Sequence, residues 1–232
     1  MRIGDLDGSA AGGIAADRTT RGLGAYDIKP GEYEVVLAPE AVATMTIFLA
    51  FYGFNAKQVI EEQSFVELGA QQFDGALSIF DDPLGAGALG LPFDVEGTPA
   101  GPMDLVRNGV TTGISHDRRT AARMGADSTS HAYPESGLWG PVAGSLVVGA
   151  GSDSVDEMIA GVERGLYIAT FNYCRILDPK SQVVTGLTRN GTFMIENGAI
   201  TGAVTNMRFT QSFVQALGPD RVLGVGDDLR FA

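Results

Sequence analysis

Cysteine and histidine are almost missing from this chain: among 232 residues there is one cysteine, Cys174, and two histidines, His116 and His131. A lone cysteine excludes an intrachain disulfide. No HExxH, no CxxC and no close histidine pair occurs, so a zinc site, which draws three or four ligands from His, Cys and carboxylates, has no local support. Cations are scarce as well, with 16 Lys and Arg against 28 Asp and Glu, a formal charge of −12. The densest basic spot is Arg118-Arg119. Such a surface repels a phosphate backbone, which argues against direct nucleic-acid binding. A membrane span needs about 20 apolar residues. The apolar run 41–54, containing MTIFLAFYGF, falls short of that and reads as a buried core helix. There is no signal peptide at the start, no GxSxG elbow, and the glycines at 149, 151 and 161 do not make a GxGxxG loop. The simplest expectation is a cytoplasmic protein without a membrane partner.

What the chain does have is glycine, 32 residues scattered without a fixed period. That composition suits tight turns between short strands. Residues 1–30 are rich in Gly and Ala, show no sustained period and read as a linker. Tyr33–Leu37 reads as a strand, with Pro39 opening the helix that holds the apolar run. A weaker helix is expected over Lys57–Leu68, and strand and loop over 73–102. Asp117 can cap a short helix over Arg118–Met124 that Gly125 ends. Gly144–Gly149 holds a compact apolar strand, SLVV.

Ser154 with Glu157 forms a capping box for a helix expected over Val155–Leu166, with Val155, Met158, Ile159, Val162 and Leu166 on one face. Tyr167–Cys174 and Gly191–Ile195 read as strands, Asp178-Pro179 as a turn, and Glu196-Asn197-Gly198 as a hairpin leading into a strand over Ala199–Arg208. DLVRNGVTTG (104–113) and FMIENGAITG (193–202) echo each other around Asn-Gly. Together these elements predict an α+β fold: mostly antiparallel twisted sheets with a few covering helices.

Explicit chemistry is sparse. Asp94 and Glu96, with Thr98, sit in the polar loop DVEGTP, where two carboxylates could orient a substrate or simply cap turns. His131 lies in the polar loop STSHAYP and is a further substrate-binding candidate. Cys174 falls within a strand. Alternation sends Arg175, the cation that could activate it, to the opposite face, so it reads as structural.

Taken together, GEYEVVLAPEAVA, PFDVEGTPAG, STSHAY, GLTRNGTFMIENGAI and TNMRFTQSF resemble the carboxy-terminal half of the TldD/PmbA family. That family is also described as modulators of DNA gyrase and as subunits of a metalloprotease. The resemblance runs from about Gly31 to Gly226. It implies that 1–30 is a linker or the tail of a missing upstream domain, and that 31–232 is the carboxy-terminal domain. In the family's active subunit, a strand ending in VVL leads into a helix bearing HExxxH. Counting from Val35-Val36-Leu37, the histidine positions fall on Ile47 and Tyr52 and the glutamate on Phe48, and no His or Glu lies in 41–60. The carboxy-terminal loop GPDRVLGVGDD lacks the family's ligand cysteine. The resemblance therefore implies the PmbA (TldE)-like branch: no metal in this chain, zinc in an active TldD-like partner subunit, a dimer with that partner or with itself, and a peptide substrate. Two other readings stay open. One is a non-catalytic, self-associating scaffold domain; the other is a Cys174-dependent hydrolase using His131 or His116.

Overall fold

Two long strands, β6 (Arg164–Asp178) and β7 (Val183–Glu196), form the spine of the computed structural model, which describes residues 7–227. The ends of the expected linker and of the expected carboxy-terminal domain, 1–6 and 228–232, lie outside the described residues. The two strands pair antiparallel across the turn at Asp178-Pro179. β1 (Glu34–Leu37) lies parallel to β6 on one side. On the other side, the two halves of β7 take different partners: β8 (Ala199–Ala203) pairs with its end and β9 (Arg208–Ser212) with its start. A second sheet consists of β2 (Ile79–Asp81), β3 (Met103–Arg107), β4 (Val110–Thr111) and β5 (Leu146–Val148). It runs in the order β4-β3-β2-β5, all antiparallel. The expected α+β fold with mostly antiparallel sheets is observed.

Helix α2 (Pro39–Tyr52) is the apolar run, with Pro39 in its first turn. Ala41, Met45, Leu49 and Ala50 are buried along it. Met45 and Leu49 join Ile79, Leu105 and Val106 of the second sheet and Val184 and Phe213 of the first sheet's side in one core. The helix thus binds the two sheets into one body through apolar burial.

Asn-Gly turns close hairpins in both sheets. Asn108 and Gly109 join β3 to β4, and Asn197 and Gly198 join β7 to β8; all four residues have positive φ, as a type I′ turn requires. Both expected helix caps also form, and each is closed as a capping box. Asp117 caps α4 (Arg118–Met124) ahead of a left-handed Gly125, and Ser154 caps α6 (Val155–Ala160).

Several local expectations differ from the structure. Residues 8–21, which carry no sustained period, form helix α1 (Gly8–Arg21), started by Asp7, whose Oδ1 accepts from the Ala10 amide at 2.9 Å. It buries none of its residues, so no apolar period marks it. An ion pair from Arg18 to Glu40 and the Arg21 guanidinium over the Phe193 ring hold it to the body. The helix expected over Lys57–Leu68 is only α3 (Ala56–Ile60), ended near Glu62, which has a positive φ. α6 stops at Gly161 rather than at Leu166, because Leu166 belongs to β6 and pairs with Val35 of β1. The strand expected over Ala199–Arg208 divides at Ala203, where the chain leaves β7 before returning to it as β9. Short helices α5 (Ser136–Trp139) and α7 (Phe213–Ala216) complete the described elements.

Candidate functional site

Polar chemistry and open surface occupy two separate places: a knot of polar loops, and a cleft beside α2. In the knot, Asp94 Oδ1 accepts from the amides of Glu96 and Thr98, both at 2.9 Å, and Oδ2 accepts from the Ala132 amide at 3.1 Å. Glu96 Oε2 accepts from the Arg118 amide at the start of α4. The Thr98 carbonyl accepts from Ser130 Oγ at 2.7 Å. His131 is buried, with Nδ1 2.7 Å from Thr129 Oγ1 and Nε2 3.2 Å from Asp81 Oδ2. The other Asp81 oxygen accepts from the Ser145 amide. The fold therefore gathers all four candidates, Asp94, Glu96, Thr98 and His131, and spends their polar groups on clipping the 94–98 loop to the 128–132 loop, α4 and β2. None of the four lines the cleft.

His116 lies in the same knot. Its amide donates to Thr129 Oγ1 at 2.7 Å, while its ring Nδ1 is buried without a partner. Burial pushes its pKa below 6.5; Asp117 opposes that shift and His131 adds to it. Cys174 is half-buried against the core and its Sγ contacts the Asn172 carbonyl at 3.8 Å. Burial raises its pKa, the reverse of what an activated thiolate needs. The hydrogen bonds of His131 run to Thr129 and Asp81, not to this thiol.

The cleft measures about 2440 Å³. Pro39, Val42, Ala43 and Thr46 of α2 form one wall. β1, β5 and β9 contribute to it, each paired on one side only among the described strands. The segments 27–33, 85–89 and 221–226 also line it. These lie far apart in sequence, and although several fall within the stretches that carry the family resemblance, no local pattern says that the fold brings them together around one cleft.

Zinc, which the family resemblance brings into question, does not fit the residues at the motif positions. Ile47 is 59% exposed and has no donor atom. Phe48 packs edge-on against Phe213, with ring centroids 6.0 Å apart, and lies 5.8 Å from the Tyr52 ring. Two side chains of carbon alone beside a single phenol do not make a zinc ligand set. Among the described residues, no group of three or more His, Cys, Asp and Glu is placed to hold a metal ion. No described helix is long and apolar enough to cross a membrane.

An α+β body built from a five-stranded and a four-stranded sheet around one central helix is the class of protein these features define. Residues 30–232 match the PmbA/TldA metallopeptidase C-terminal domain, and the chain belongs to that family. A metalloprotease of Methanothermobacter thermautotrophicus is 25% identical over 217 residues, covering 92% of this chain and 47% of the relative. A metalloprotease of Synechocystis is 29% identical over 160 residues, covering 66% of this chain and 34% of the relative. Among solved structures, TldE from Thermococcus kodakarensis superposes with a TM-score of 0.81 at 20% identity, covering 92% of this chain and 49% of that one. A candidate modulator of a DNA gyrase from Thermotoga maritima gives a TM-score of 0.88 at 24% identity, covering 99% and 53%. At these identities the two structures establish the fold. The chain spans about half the length of the first of these relatives.

Proposed function

We propose that this chain is a PmbA (TldE)-like subunit, without zinc of its own, of a peptide-hydrolysing complex whose metal resides in a TldD-like partner. The observation that carries this reading is α2: the helix is kept, while Ile47, Phe48 and Tyr52 stand where HExxxH is expected. The cleft supports a role in handling extended peptide, since open strand edges on its walls can pair with a backbone irrespective of sequence.

Co-expression with an HExxxH-bearing relative tests the proposal. The expected result is a stable complex with one equivalent of zinc, hydrolysing unfolded peptide, and a purified chain with neither zinc nor activity alone. Stoichiometric zinc and proteolysis by this chain alone would overturn it. A homo-oligomer that ignores the partner would favour the self-associating scaffold instead.

A further inference from the structure

The cleft wall is charged unevenly. Asp27, Glu32, Glu34, Asp82, Asp153 and Glu157 line it; Asp27 accepts from Thr205 and Glu157 from Ser154. Lys29, Arg208 and Arg221 are the cations on the same wall. None of these nine groups belongs to an ion pair among the described residues. Glu32 just before β1 and Glu34 on its open edge are exposed, and among the described residues no side-chain hydrogen bond engages them. The same lining includes the apolar side chains of Val42, Met45, Leu146 and Phe213. A recess with low-dielectric walls and an excess of one sign concentrates ions of the opposite sign.

We infer that the cleft selects lysine- or arginine-rich extended segments of polypeptide. The inference deepens the peptide-handling reading above and rests on it. Charge complementarity names the occupant: alternate side chains of an extended segment point the same way, so cations spaced by two can face the carboxylates while the backbone runs along an open edge. A second copy of the chain, itself at −12, carries the wrong sign.

Calorimetric titration with three capped octapeptides, alternating alanine with lysine, glutamine or glutamate, tests this without partner or hydrolysis. The lysine peptide should bind about tenfold more tightly than the glutamine peptide, with the gap narrowing as salt screens the charges. The double variant Glu32→Gln, Glu34→Gln should lose several-fold in affinity for the lysine peptide at an unchanged melting temperature. Asp127→Asn, exposed and off the cleft wall, should lose none. Equal binding of all three peptides, tightest binding of the glutamate peptide, or no binding of the lysine peptide would overturn the inference. So would a self-association that excludes the lysine peptide. Equal lysine and glutamine affinities remove the charge preference and leave the peptide reading intact. Lysine-selective binding without assembly with an HExxxH partner removes the subunit reading instead.

Discussion

His116 makes the fold sensitive to mild acid. Its ring is buried with Nδ1 unpaired, and desolvation holds its pKa below 6.5 despite the neighbouring Asp117. Below about pH 6.5 the unfolded chain takes up a proton that the native ring resists, so the unfolded state binds more protons and stability falls with pH. The loss levels off below the native pKa. The carboxylates held low, Asp74, Glu157 and Asp178, start from 3.8 to 4.5 and titrate under this window. His116→Gln should therefore flatten the fall in urea midpoint between about pH 7.5 and about pH 5.5. An identical fall in wild type and variant would remove His116 as the cause. At this scale the sequence exposed His131 and Asp94 as chemically able groups. It did not reveal Asp81 as the partner of His131, because the two are 50 residues apart and only the fold joins them.

Elements were legible where local chemistry settles them. Asp117 and Ser154 mark helix starts through their own side chains, and Asn-Gly marks hairpins through the left-handed conformations it tolerates. α1 escaped because it buries nothing and so leaves no period. The end of α6 escaped because a distant strand, β1, claims Leu166. Helix α2 allows a sharper test. Leu49 is wholly buried, so Leu49→Ala should cost about 3 kcal/mol. Ile47 is 59% exposed, so Ile47→His should cost under about 0.5 kcal/mol. Phe48→Glu sets a carboxylate against Phe213 and should be the costly step in rewriting HExxxH. Denaturant titration of the single variants checks this order; an Ile47→His penalty matching Leu49→Ala would contradict the placement of the helix.

For the whole molecule, the core decides whether the two sheets behave as one unit. Leu105 and Val106 of the second sheet share an apolar cluster with Val184 of the first and with Phe213 just beyond it, and α2 lies in the same cluster. Neither sheet can unfold without exposing side chains that the other buries, so the chain should lose both together. Leu105 is fully buried in the smaller sheet, and Leu105→Ala should destabilise by about 3 kcal/mol through the cavity it leaves. Trp139, the one tryptophan, reports from α5 beside Phe51 of α2, while far-ultraviolet circular dichroism sums over all the helices and strands of the body. Coupled sheets require the two signals to shift to the same lower urea midpoint in Leu105→Ala. A tryptophan transition that moves while the dichroism transition stays would mean that the body melts in parts, and α2 would then not bind the two sheets into one cooperative unit.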